Sequence, residues 1–476
     1  MIASVAWISF NISNFSQVRN QSISTSALSV AEAGINYYLW HLAHDPTDYQ
    51  DGTGGPGPYV HDYKDASGNV IGKYTLNITP PPLGSSVTTV ETVGQLTGSP
   101  QTRKIVAQLG IPSFARYAVI ANETIRFGYG TEIFGPIHSN GGLRFDGIAN
   151  DIVTSAVASY NDPDHNGANE FGVHTHRDPP PPDPNPNINE NFRPLEASPN
   201  PVPSRPDVFK AGRQFPVPNV DFNAITTDLS NLRTKAKTPD GFYIDHEPGA
   251  IGYRIHLKDD TFDLYKVTAT TAQCQGKVLN DDSWGQVDTY GITTESPVIL
   301  NRDFPPNGII FVEDQLWVEG KIDTAQLTIA AAKIGATSTE EKSIAINNDI
   351  LYTHSDGSDK LGLIAQKHIQ IGLYSEDDLH IDAALLAQKG RVGRNNFLKP
   401  SLWQENCGPT YTRDKITVNG SIGTAKRYGF TWGTGCPPSS GYCTRVLLFD
   451  SNLTITPPPS FPTTGSFAIL SWKEKD

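Results

Sequence analysis

The sequence predicts a mainly β protein of α+β type. One long N-terminal α-helix and an antiparallel meander precede a right-handed parallel β-helix-like body that carries an irregular insert. Three observations predict this. Residues 1–44 contain no proline and place apolar residues at helical spacing. Alternating runs joined by short turns follow directly. Further on, units of about nine residues recur, each closed by glycine and without paired hairpin turns between them.

Bulk composition narrows the function classes. The chain has 476 residues, 37% of them hydrophobic, with Gly 42 and Pro 36, which suits many short strands and turns. It is long enough to bury a core. Lys+Arg 37 against Asp+Glu 50 leaves a net charge of −13, and no basic cluster interrupts it. Such a surface repels phosphates, so nucleic acid is excluded as a partner class, whereas divalent cations suit it.

The first element, residues 1–44, reads as one amphipathic helix. Val5, Ile8, Ile12 and Phe15 recur at helical spacing, Leu28, Ala31, Ile35, Tyr38 and Leu42 continue the pattern, and Asp45-Pro46 stops it. The apolar opening MIASVAWISF is shorter than the roughly 20 residues that span a bilayer. A core-packing helix is the plain alternative. The stretch SQVRNQSISTSALSVAEAGINYYLWHL resembles the N-terminal helix of PilX-type minor pilins of type IV pili. The resemblance rests on Arg19, on Ser26-Ala27, and on Ala31, Glu32, Ala33 and Gly34. It implies an assembly helix that meets other pilin or pseudopilin subunits. In that family the helix starts further upstream, with a prepilin-peptidase site and an apolar membrane half that this sequence lacks. The expected location is therefore the cell surface or a pilus, with inner-membrane anchoring before assembly if an upstream segment exists.

Residues 45–114 are expected to form the meander. A Gly/Pro hinge leads into strands Tyr59–Lys64, Lys73–Thr79, Val87–Thr97 and Thr102–Leu109, with turns at Ser67-Gly68-Asn69 and Thr97-Gly98-Ser99-Pro100. Packing this sheet on the helix would bury both apolar faces, and the same plan is found in pilins.

Residues 115–160 carry the first rungs of the repeat, and residues 301–476 carry its body and a C-terminal tail. IANETIRFG (Ile120 to Gly128), FVEDQLWVEG (Phe311 to Gly320) and IAQKHIQIG (Ile364 to Gly372) share a small apolar residue, a polar step and two apolar residues two apart. LLAQKGRVG (Leu385 to Gly393) is a shortened copy. Stacked rungs with glycine corners need this pattern; an ordinary sandwich is the alternative. The order of FGPIHSNGGLRFDG, FPPNGIIFVEDQLWVEGKI, IDAALLAQKG and KITVNGSI, with the ending PPPSFPTTGSFAILSWKE, resembles an uncharacterised domain often found behind PilX-like helices. That resemblance implies location and partners, surface glycans or cell surfaces among them, and no chemistry.

Residues 161–300 are expected to be the insert. It contains DPPPPDPNP, a short helix within Val220 to Ala236, and a hairpin turning at Asp259-Asp260.

Candidate chemistry is sparse. Asp162, Asp164, Asn166 and Glu170, with Gly167 for the turn, fit a short Ca²⁺ loop; the twelfth position is Val173 where a bidentate Glu would stand, and a solvated turn is the alternative. His174 and His176 could share a face as transition-metal ligands, with Asp178 as the nearest third candidate; a polar loop is the commoner outcome. Cys436 and Cys443 bracket CPPSSGYC, a loop that Pro and Gly can close into a disulfide, while Cys274 and Cys407 could pair or stay free. No nucleophile elbow, zincin helix, Walker loop or dinucleotide fingerprint is present, so no enzyme is expected. A polysaccharide-active β-helix would draw on Asp377, Asp378, Asp382, Arg391 and Arg394, which are otherwise solvated corner charges. Trp317, Trp403 and Trp432 could stack on sugars or fill core.

Overall fold

The computed structural model describes residues 2–81, 87–163, 169–177, 196–277, 284–335, 337–399, 407–433, 435–465 and 467–475, and the backbone alone at 2–16, 226 and 227. Asp164, Asn166, Asp178, Trp403 and the DPPPPDPNP run lie outside the described residues. The chain divides into two units, residues 1–112 with 465–476, and residues 113–464.

In the first unit, helix α1 spans Ile2–His44 and ends where Asp45 N–H donates to the His41 carbonyl, just before Pro46. Strands β1 (Tyr59–Lys64), β2 (Val70–Thr79), β3 (Thr88–Leu96) and β4 (Thr102–Gly110) form the antiparallel meander. Val30, Ala31, Ile35, Tyr38 and Leu42 pack on Tyr74, Leu76, Val90, Ile105, Ala107 and Leu109. Each fully buried aliphatic side chain contributes about 1.5–3 kcal/mol.

The boundary expected for the C-terminal region is corrected here. Residues 301–476 do not form one body, because strand Ala468–Lys475 pairs antiparallel with β4 and completes the five-stranded sheet. An open edge of β4 exposes unpaired N–H and C=O groups, and the last strand satisfies them.

In the second unit the strands pair in parallel. One column runs in register through Phe242, Ile310, Ile329, Leu363, Leu385, Ile422, Val119, Ile137 and Val153. A second runs through Leu316, Ile344, Ile369 and Val392. A third joins Leu257, Gly320, Ile350, Ile381, Val418, Leu447, Ile133 and Ala149. Apart from Phe242, Leu447 and Gly320, these residues are essentially inaccessible to solvent, and the three columns face one core.

Each sequence repeat is a strand, a corner and a second strand. Examples are Val119–Ala121 with Ile125–Phe127, and Lys360–Ala365 with Ile369–Ile371. Runs such as IIFV and LTIAA are apolar without alternation because both faces of that sheet are covered. Ile310 and Ile329 face the core, while Ile309, Phe311, Ala330 and Ile364 meet helix α2 (Ala224–Ala236) through Ile225, Leu229 and Leu232.

Two further boundaries change. Residues 161–300 are not wholly an insert. Strands Phe242–Ile244 and Gly252–Asp259 pair in parallel with Ile309–Val312 and Gln315–Ile322, so they belong to the body. The Asp259-Asp260 hairpin forms as well, because Gly252–Asp259 has two edges and Thr261–Thr270 takes the other. Within residues 115–160, Val119–Ala121 pairs in parallel with Thr412–Thr424, so this segment joins the body at its C-terminal strands rather than at the strands directly after the insert.

Candidate metal centre

The two carboxylates read as a calcium loop and the two histidines read as a separate pair occupy one place. Strands Ser159–Tyr160 and Glu170–Phe171 pair antiparallel, with Tyr160 opposite Glu170, which carries Asp162 back over the strand end. Val173–His174 then pairs in parallel with Leu143–Phe145, placing His174 beside Arg144. Asp162, Glu170, His174 and His176 each offer a ligand atom, and these atoms lie within 4.8 Å of one another. All four residues are buried.

Glu170 is the centre of the group. His176 Nε2 lies 2.9 Å from both of its carboxylate oxygens, and His174 Nε2 lies 3.0 Å from Oε2. The same His174 nitrogen is 3.7 Å from Asp162 Oδ2. On the other side of its ring, His174 Nδ1 donates to the Phe171 carbonyl at 3.2 Å. That bond keeps a proton on Nδ1 and aims Nε2 at the carboxylates.

The surrounding charges orient the group. Arg144, fully enclosed, donates from Nε to Asp146 Oδ2 at 2.8 Å and from Nη1 to Asp162 Oδ2 at 3.2 Å. Asp146 Oδ1 accepts the His176 backbone N–H at 2.9 Å. Glu196 Oε2 accepts the Thr175 N–H at 3.3 Å, with Arg205 and Arg213 against the same carboxylate. In the ion-free protein, burial favours the neutral forms, but mutual pairing outweighs it. The His174 and His176 imidazoles hold the Glu170 carboxyl far below the usual range, and Asp162 and Glu170 push His174 up to about 9.

Of the four residues of the calcium reading, the structure describes Asp162 and Glu170, and Asp164 and Asn166 lie outside the described residues. Calcium takes six to eight hard oxygens, whereas half of the converging atoms here are imidazole nitrogens, which suit zinc-class ions. Sequence reasoning also missed Arg144 and Asp146. The signal was a step of eighteen residues, since Asn122 meets Asn140 and Arg144 meets Asp162 at that separation.

The other singled-out residues do not gather. Cys436 pairs with Cys443, and Cys274 with Cys407. Asp382 is occupied by the Tyr352 N–H, His380 Nε2 and Asn419 Nδ2. Arg391 and Arg394 are enclosed, and Arg394 is spent on the carbonyls of Gly372, Leu373 and Thr410. Trp317 is core, donating to the Tyr290 carbonyl at 2.8 Å, and Trp432 is half-buried. On α1, Ala31 and Gly34 are buried against the chain's own sheet, Ala33 is half-buried, and Arg19 and Glu32 are exposed.

No family model and no curated protein matches the chain. Among solved structures, the chain is similar to the competence-associated pilin ComZ from Thermus thermophilus at 14% identity. That match covers 95% of this chain and 97% of the other, with a TM-score of 0.31. A superposition that loose carries no argument.

Proposed function

We propose that the chain is a non-enzymatic, minor-pilin-like subunit of a type IV pilus or related cell-surface assembly. Helix α1 makes the contact with other subunits. The second unit, coiled as a right-handed parallel β-helix, is the displayed head for interaction or adhesion. The observation that carries this reading is where α1 stops packing. Residues 17–22 are all exposed, and six consecutive positions cover every face of a helix. Val18 is 65% exposed there, whereas Val30, Ile35 and Leu42 are buried. Residues 17–22 are about 9 Å of helix at 1.5 Å per residue, and the helix backbone continues back from them to Ile2. No described helix is long and apolar enough to cross a membrane.

Two disulfides suit an oxidising, extracytoplasmic compartment. The engagement of Asp382 and Arg394 in hydrogen bonds within the fold is in keeping with a structural role.

The test is a photo-crosslinking amino acid placed at Val18 in the full chain, expressed in its own cells. Adducts with pilin-class subunits are expected, and the same probe at the buried Val30 gives none. If Val18 yields no subunit adduct and deleting the gene leaves surface filaments unchanged, the reading is wrong.

A further inference from the structure

We propose that Asp162, Glu170, His174 and His176 form a closed structural site for one divalent transition ion of the zinc class. Beyond the four converging ligand atoms, one independent observation points to an ion. His174 has no accessible side-chain surface, and its Nε2 lies 3.0 Å from Glu170 Oε2 yet makes no hydrogen bond. With Nδ1 committed to the Phe171 carbonyl, Nε2 and the carboxylate oxygens face a common point. A cation at that point answers both.

Size agrees with this. Tetrahedral zinc bonds of about 2.0–2.2 Å set ligand atoms about 3.3 Å apart. The contacts around Glu170 and Asp162 span 2.9 to 3.7 Å. Arg144 and the Phe171 carbonyl are the outer partners that fix Asp162 and His174, as metal ligands require. Four protein ligands leave no open coordination position, so the ion holds structure and does no chemistry. It would clamp Asp162, just after Ser159–Tyr160, to Val173–His174, near the end of the parallel column where Val153 pairs with Arg213.

The test uses the full chain, stripped with a chelator and titrated in parallel with Zn²⁺, Ca²⁺ and Co²⁺. One Zn²⁺ or Co²⁺ per chain is expected, with visible ligand-field absorption for Co²⁺ and no heat for Ca²⁺. Glu170→Gln and His174→Ala should weaken Zn²⁺ by more than the roughly 10–100-fold that loss of an outer partner costs. His380→Ala, at the half-exposed His380 beside Asp382, should change nothing. Folding of each variant is checked by circular dichroism. If the folded wild type retains no ion and gives no Co²⁺ band, a proton-held cluster is the answer and the proposal falls. It also falls if the folded variants bind as the wild type does. Should a variant fail to fold, the wild-type stoichiometry and spectrum decide.

Discussion

At the residue scale, the buried polar groups divide by how their charge is met. The metal-centre residues meet theirs with one another, whereas His368 avoids charge altogether. Partial burial, with Arg391 and Lys367 alongside, holds its pKa down at about 3, and its Nδ1 accepts the Arg391 backbone N–H at 3.1 Å. An unfolded histidine titrates near 6.5, so between pH 3 and 6.5 the unfolded chain binds the extra proton. Stability is therefore lost as pH falls through that window and is flat below it, on the order of 5 kcal/mol at most. Urea denaturation of His368→Gln across this range should show a shallower acid slope than the wild type; an equal slope would discard the assignment. The metal-centre residues were readable in the sequence only as two unrelated motifs. Asp162 and Glu170 suggested a loop, and His174 and His176 suggested a strand face. Their meeting depends on Tyr160 pairing with Glu170 and on Arg144 arriving from the preceding rung, neither of which local spacing encodes.

At the element scale, the contact of α1 with its sheet explains why small residues sit where they do. A Cβ on Gly94 would lie 2.3 Å from the Ala27 carbonyl oxygen and 2.4 Å from the Ala31 nitrogen. A Cβ on Gly34 would lie 2.5 Å from Thr92 Cγ2. Helix backbone and strand backbone touch, and Ala27, Ala31 and Gly34 permit it. Gly94→Ala should destabilise the first unit by about 1–3 kcal/mol, because the obstacle is backbone that cannot rotate away. Hydrogen exchange of residues 27–42 in the full chain is the measurement. Gly55→Ala, where the added carbon meets nothing within 4 Å, should leave exchange unchanged, and equal behaviour of the two variants would reject the close-packing account. The Ala-Glu-Ala-Gly step thus serves intrachain packing through Ala31 and Gly34, leaving Glu32 and Arg19 to face outward.

At the scale of the whole molecule, chain path matters more than any one element. The column of the second unit begins at Phe242 and runs past Val153 to Arg213, nine spacings of about 4.8 Å, or roughly 43 Å, apart. Residues 215–241 have to cover that distance in the reverse direction. The Cys274–Cys407 disulfide spans a separation of 133 residues, with both cysteines buried beside Val287, Leu373 and Phe397. Closing so long a loop removes denatured-state entropy, so the Cys274→Ala/Cys407→Ala pair should cost about 2–4 kcal/mol. Cys436–Cys443, separated by 7 residues, should matter less. Chemical denaturation with and without reductant tests this. Reductant should lower the wild type toward the double variant and shift the variant little, whereas an unchanged double variant would refute it.

Local pattern was enough for the elements themselves. Helical spacing up to His44, the strand Tyr59–Lys64, the Asp259-Asp260 hairpin and the glycine-closed repeat all follow from the period with which apolar side chains must be buried. Partnership was settled only in three dimensions. Ala468–Lys475 joins β4, Val119–Ala121 pairs with Thr412–Thr424, and Gly252–Asp259 serves a hairpin and a parallel column at once. The physical reason is that a strand's side chains state which face is buried, while its N–H and C=O groups are the same at every residue and accept any edge that the fold brings to them.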